Sequence, residues 1–391
     1  GAAAAIVVAI VLGGFSASIG LVRANQQRSA TERLLASSYI DKAQSLCEQR
    51  EIGRGMLWFA HSMQIVPHDA EDLRRAIRGS LAGWRGHLHR LSTVVQHSSE
   101  VRSVAFSPSG LQILGSGSDG TVRLWDAATG QAIETPQRQE LDMAVPHKPH
   151  LFQFRSLAIS PDGARIVTAA HGPTAFVWNA ATLEAIGEPL QHGTDEDEVT
   201  FVAYSRTRIV TGTGSSDGTV QLWDADTLKP VGEPFGRGGL REIVFSSNGS
   251  LLAVFTNGRQ HRVWDVQRGE PLGPSTEHPS VIAVAISPDG SMLATAGDSE
   301  IRAWDVATGQ PALPPMMHGG VIHALAFNPD GSRIVSGGNT RIARLWDATT
   351  GQPIGAPLRQ RNTIAAVAFS PNGDRVLTGS LDGEVRVWDL A

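Results

Sequence analysis

The sequence predicts an all-β protein, a seven-bladed β-propeller preceded by a hydrophobic helix and a short α-helical region. Two observations carry this. The dipeptide Trp-Asp stands at Trp125-Asp126, Trp223-Asp224, Trp264-Asp265, Trp304-Asp305, Trp346-Asp347 and Trp388-Asp389, and Trp178-Asn179 fills the one gap. From Trp178 onward the tryptophans are 45, 41, 40, 42 and 42 residues apart, the period of a four-stranded blade ending in that dipeptide. Each repeat also carries the same turns, and seven units mean seven blades.

The internal plan of a repeat follows from turn chemistry. An apolar run such as Val101–Phe106, Val281–Ile286 or Ala365–Phe369 leads to a Ser-Pro-Asp-Gly type turn. Such turns begin at Ser107, Ser160, Ser287, Asn328 and Ser370. Proline pre-sets φ at the second position and glycine accepts φ > 0 at the last. A second strand follows, then a hairpin turn at pairs such as Asp119-Gly120, Asp217-Gly218 and Asp382-Gly383. The third strand alternates with period two into Trp-Asp, as in Glu384–Trp388. After Trp388-Asp389 only two residues remain, so the last blade lacks its outer strand. The spare strand Leu91–Gln96 is expected to supply it and close the ring.

Composition narrows the function. The 391 residues carry a net charge of -5, without the basic excess of a nucleic-acid binder. Cys47 is the only cysteine, which excludes an intrachain disulfide and a cysteine metal cluster. The chain opens on Gly1 rather than methionine, the expectation for a fragment or a processed product.

Three segments are expected: 1–23, a transmembrane helix or signal-like segment; 24–88, an α-helical linker; and 89–391, the propeller. Ala2–Val22 holds no charged side chain and, as a helix, matches the bilayer core in length. Small residues four apart (Gly13/Ala17, Gly14/Ser18, Ser16/Gly20) suit a dimer through close approach of two such helices. Ser16-Ala17-Ser18 could equally serve as a signal-peptidase site. Arg23, Arg28 and Arg33 favour a cytoplasmic propeller. In the linker, Ser29 and Glu32 have capping-box spacing, a second helix runs Met56–Ile65, and Asp69 is placed to cap a third. Gly55, Phe59 and Pro67 stand where a tetratricopeptide unit has its small residue, aromatic and proline. One such unit cannot bury its own face, which favours a helical stalk.

By the Trp-Asp endings, the turns and the period, residues 89–391 resemble the WD-repeat β-propeller family. The family links a His, a Ser or Thr, an Asp and the Trp of a blade through buried hydrogen bonds. On that resemblance the structural residues are Trp125, Trp178, Trp223, Trp264, Trp304, Trp346, Trp388, Asp119, Asp217, Asp382, His97 and His318. The set reads as eroded. Gly115 stands where blade one needs a hydroxyl, Thr340 replaces the Asp of blade six beside His318 and Ser336, and blade seven has Thr378 and Asp382 but no His. Apolar burial is therefore expected to carry most of the packing. The order of segments, with Leu46–Gln49, Leu57–Ala60 and Leu81–Trp84, also resembles the C-terminal halves of bacterial membrane-anchored serine/threonine kinases with WD repeats. That resemblance implies a catalytic domain upstream and a propeller on the far side of the membrane. No His-Arg-Asp, Asp-Phe-Gly or Val-Ala-Ile-Lys motif is present.

No motif for chemistry survives its context. Gly115–Gly120 fits G-x-G-x-x-G, but a strand follows where a helix is needed. His192 with Asp195–Glu198 resembles a cation loop, yet consecutive carboxylates lack calcium-ligand spacing. No catalytic residue, metal site or cofactor is expected. The expected role is a non-catalytic protein-interaction scaffold or sensor on a single-pass membrane anchor (residues 2–22), with protein or peptide ligands and no nucleic acid. The candidate partner-binding residues are Asp195, Glu196, Asp197 and Glu198 in an acidic loop. His147, Lys148 and His150 join them in the Gln137–Phe154 insertion, where departures from the repeat map to loops.

Overall fold

In the computed structural model, residues 2–390 are described except 49–51, 86–87, 120, 134–155, 170–172, 181, 183, 194–198, 206–207, 214–217, 236–239, 247–249, 257–259, 267, 269 and 279. Side chains at 2–21 and at a few element ends (85, 212–213, 240–242, 256, 260–261, 277) are also outside the description. Two compact units divide the chain, one reaching Leu88 and one spanning His89–Leu390.

The first unit is helical: α1 (Ala2–Glu48), α2 (Ile52–Ile65) and α3 (Glu71–Arg85). Ala43, Cys47, Phe59 and Ile77 are buried between them. Gly55 is required where α1 and α2 meet, because a Cβ there would lie 2.7 Å from the Ala43 carbonyl oxygen and collide with Cys47 Sγ. Two sequence expectations are corrected. Ser29 and Glu32 do not start a helix: α1 runs through them, since the residues before them hold no proline to stop it. Asp69 does not cap α3. Its carboxylate accepts hydrogen bonds from Ser29 (3.3 Å) and Arg33 (3.2 Å), and α3 opens behind the tight turn in which the Ala70 amide donates to the Pro67 carbonyl. Among the described residues no helix is long and apolar enough to cross a membrane. The apolar run proposed as the anchor lies almost wholly in residues 2–21, whose side chains are outside the description.

The second unit is seven antiparallel sheets, six of four strands and one of three. The three-stranded sheet is blade one, Val101–Phe106, Gln112–Gly117 and Val122–Asp126. Its outer strand is reduced, among the described residues, to a bridge from Trp125 to Ala132. Blade seven has the order Arg90–Gln96, Glu384–Asp389, Arg375–Ser380, Ile364–Phe369. Its outermost strand comes from the opposite end of the propeller sequence. The register pairs Leu91 with Trp388, Val95 with Val385 and Gln96 with Glu384, and Gln96 Nε2 donates to the Asp382 carbonyl at 2.9 Å. Val95 is buried with Val101, Val385 and Val387.

Blades pack through small residues. A Cβ on Gly379 would lie 2.7 and 2.8 Å from Val101 and Val104 of blade one, and one on Gly337 would meet Ile364 and Val367 of blade seven. The Ser-Pro-Asp-Gly turns hold the rim. In each, the glycine amide donates back to the first residue's carbonyl, as Gly163 to Ser160 and Gly290 to Ser287, with φ of 73° and 77°. The first side chain then accepts the amide five residues on, Arg165 to Ser160 at 2.9 Å and Arg333 to Asn328 at 2.8 Å.

A chain begun at residue 100 lacks the strand that completes blade seven and exposes the edge at Glu384–Asp389. Against a chain begun at residue 86 it should unfold at lower temperature and self-associate in sedimentation velocity.

Candidate functional site

The polar side chains inside the propeller are organised around the tryptophans. In a strand, residues i and i+2 share a face. The residue two beyond the one paired with the tryptophan is therefore placed to meet its indole. Trp178 pairs with Ile166, Trp223 with Ile209, Trp304 with Leu293, Trp346 with Ile334 and Trp388 with Val376. The hydroxyl two residues on accepts from indole Nε1 in all five: Thr168 (2.8 Å), Thr211 (3.0 Å), Thr295 (2.9 Å), Ser336 (2.8 Å) and Thr378 (3.0 Å).

A histidine extends the link in three blades. Nδ1 lies 2.8 Å from Thr211 Oγ1 at His192, 2.8 Å from Thr295 Oγ1 at His278 and 2.9 Å from Ser336 Oγ at His318. The hydroxyl has one proton, so it accepts from the indole and donates to Nδ1, which leaves Nε2 as the protonated ring nitrogen. Nε2 then faces Thr219 Oγ1 (3.1 Å) in blade three and Thr340 Oγ1 (3.2 Å) in blade six. In blade seven Gln360 reproduces a neutral imidazole. Its Oε1 accepts from Thr378 (2.6 Å) and its Nε2 donates to Ser380 Oγ (2.8 Å) and the Glu384 carbonyl (3.0 Å).

The links also run through blades two, three and five, beside the departures read in blades one, six and seven. His192 belongs to one of them. Gln360 stands where the resemblance leads one to expect histidine, so its residue type does not reveal its role. The signal that finds both is positional, a buried polar side chain 18 or 19 residues before the hydroxyl. Two blades do depart. In blade one Gly115 takes the hydroxyl position, and a Cβ there would stand 2.9 Å from the Trp125 ring. His97 meets that ring edge-on at 6.0 Å and accepts from the Ser99 amide instead. In blade four Val254 takes the position, and Trp264 packs on Phe235 with ring centroids 4.9 Å apart. Gly115 and Gly117 therefore serve packing around Trp125 and His97.

Asp119 and Asp382 are tied into turns as well. Burial alone would raise the pKa of Asp119. Hydrogen bonds from Ser98, Thr121 and Ser99 outweigh it and hold the group at about 2. Asp382 accepts from Ser380 and from the Glu384 amide. The aspartates of Trp-Asp fold the next turn: Asp126, Asp224, Asp305 and Asp347 accept the amide three residues on at 2.7–2.9 Å, an Asx-type turn. Asp217, Asp195, Glu196, Asp197, Glu198, His147, Lys148 and His150 lie outside the described residues. Among the described residues no group of three His, Cys, Asp or Glu side chains could hold a metal ion. In the helical unit, α1 and the α2–α3 turn border an open pocket of about 960 Å³ lined by Arg28, Glu32, Leu35, Val66, Pro67 and Asp69 among others.

Five segments match the family described as WD domain, G-beta repeat: residues 88–126, 187–224, 269–305, 316–347 and 355–389. Each begins in or just before the outer strand of one blade and ends at the third strand of the next. Residues 89–390 form a WD-repeat β-propeller. The two blades without a match are blade two, which ends in Trp178-Asn179, and blade four, which has lost its hydroxyl to Val254. A WD repeat-containing protein of Synechocystis is 30% identical over 150 residues, 38% of this chain and 34% of that protein. Human transducin beta-like protein 3 is 30% identical over 130 residues, 32% of this chain and 16% of its own. Rat apoptotic protease-activating factor 1 is 24% identical over 217 residues, 53% of this chain and 16% of its own. The chain thus spans 34% or less of the length of these relatives.

Ser336→Ala removes the oxygen that joins Trp346 to His318 and leaves the indole Nε1 and the imidazole Nδ1 without that partner in the interior. Chemical denaturation should show a loss of about 1–3 kcal/mol. Burial, with Arg344 adding to it, lowers the His318 pKa from 6.5 to about 4. Unfolded chain takes up a proton near pH 6.5 while the folded ring resists until about 4. The stability due to the neutral ring is therefore complete above 6.5 and is lost as the pH falls toward 4. His318→Gln, which copies Gln360, should keep the fold and flatten the stability profile across that window.

Proposed function

We propose that this chain is a non-catalytic protein-interaction scaffold or sensor whose ligands are proteins or peptides docking on the propeller. The observation that supports it most directly is how the interior polar groups are engaged. His192, His278, His318 and Gln360 are tied to tryptophan-bound hydroxyls, and the Trp-Asp carboxylates to turn amides. These are residues that hold a ring together. What remains exposed is the loops of its two faces, and loops on a rigid scaffold are where recognition concentrates. WD-repeat propellers in general act in this way.

The finer reading places residues 2–22 in a membrane as a single-pass anchor, with pairing of two such helices through their small residues. It rests on the uncharged length of that run. The order of apolar run, helical unit and propeller also supports a second reading, the sensor half of a receptor serine/threonine kinase, which sequencing upstream of Gly1 tests.

The full chain, used as bait, should retain a specific set of proteins from lysate and show no kinase, phosphatase or peptidase turnover. Turnover that survives repurification would overturn the assignment. The full chain should also resist alkaline extraction from membranes while a chain begun at residue 24 is released. Release of both, or processing near Ser18, would remove the anchor.

A further inference from the structure

The turn between the second and third strands of blade six departs from its siblings. Counted back from the tryptophan, Arg341 occupies the position that Gly383 holds in blade seven and Gly218 in blade three. Those glycines have φ of 85° and 43°, and Arg341 has φ of 61°. Glycine adopts this left-handed conformation without steric cost, whereas a residue with a Cβ is strained in it. The turn keeps an arginine where blades one, three and seven keep glycine, and strain of this kind gathers where a side chain is needed at a surface.

Arg341 does not stand alone. The amide of Gln360 donates to its carbonyl at 2.8 Å, and Ile342 pairs with Arg359 in the adjoining ladder. Arg359 and Arg361 therefore flank the backbone that meets Arg341, on the same rim of the ring. All three side chains are exposed. Among the described residues none of the three side chains makes an ion pair or hydrogen bond. Carboxylates of the following blade are engaged elsewhere. Glu384 pairs with Arg386 at 2.9 Å, Asp382 accepts from Ser380 and the Glu384 amide, and Arg386 Nη1 turns to the Arg359 carbonyl at 2.7 Å. Elsewhere exposed arginines do find carboxylates, Arg102 with Glu100 and Arg28 with Glu32. In a chain of net charge -5, three clustered and unpaired guanidinium groups are a local reversal of sign.

From this we infer that Arg341, Arg359 and Arg361 form a docking site for an acidic peptide segment, whose carboxylates the three guanidinium forks bind. Guanidinium groups suit the planar, bidentate acceptor geometry of carboxylates, and their field attracts such a partner before contact. The inference rests on the scaffold reading and names the chemistry of one partner.

The probe is a fluorescein-labelled peptide of alternating glutamate and glycine, titrated with the full chain and followed by anisotropy at low and physiological salt. Wild type should bind, more weakly as salt rises. The triple variant R341Q/R359Q/R361Q should lose at least about tenfold in affinity. A triple with the same change in net charge spread elsewhere, R123Q/K229Q/R262Q, should lose less than about threefold. Arg341→Gly should weaken binding while thermal stability is kept or raised, since the strain is relieved. Equal losses in the two triples, or unchanged affinity in Arg341→Gly, would overturn the site. A matched peptide with phosphoserine in place of glutamate separates the oxyanion sources, and binding of that peptide alone would overturn the carboxylate assignment. If wild type retains proteins from lysate but not the acidic peptide, this inference fails and the scaffold reading stands. If it retains neither, both fail.

Discussion

The ladder between Arg90–Gln96 and Glu384–Asp389 is the contact on which the rest of the propeller depends. Seven sheets in a row have two ends, and each end is an unpaired strand edge and an unburied face. Pairing the first strand of the ring with the last third strand removes both at once. It completes the sheet of blade seven, and it sets Val101 and Val104 of blade one against Gly379 of blade seven. A closed ring leaves only short edges, and closure gives loops from different blades fixed positions relative to one another.

Within a blade the organising contact is local. The indole and the hydroxyl two residues past its cross-strand partner tie the third strand to the second, and His or Gln carries the tie to the segment entering the first. Three kinds of substitution are tolerated: glutamine for histidine in blade seven, a glycine gap filled by the Trp125 ring in blade one, and an apolar pair in blade four. Apolar burial is common to all seven and the polar tie is not. The tie therefore acts as a device for register, with a net worth of about 0.5–1.5 kcal/mol for an ordinary hydrogen bond. The same logic separates the face from the interior. A side chain such as Arg341, which relieves nothing and strains its own turn, has no part in holding the ring.

Blade number, turn positions and the closing strand were legible in the sequence because each has a local cause: the period of Trp-Asp, proline and glycine at fixed offsets, and a blade one strand short. The polar links were legible only in part. The resemblance groups His318, Ser336 and Thr340, and the three side chains meet in the fold. His192 and Gln360 are not legible as structural residues, because a lone histidine carries no local signature and a glutamine does not announce that it stands for an imidazole. In the helical unit a capping-box pattern was mistaken for a helix start, since Ser29 faces Asp69 40 residues away. Nothing in the residues around Arg341 indicates its backbone conformation. That emerges only when the turn is laid over its siblings.

Amide hydrogen exchange of the native chain tests ring closure most directly. If the first strand is an integral part of the last blade, the amides of Arg90–Gln96 that face Glu384–Asp389 open only with the whole ring. They should then show the same protection as the central strand Arg375–Ser380. Exchange at Arg90–Gln96 much faster than at Arg375–Ser380 would mean that the strand detaches on its own and that the propeller does not depend on it.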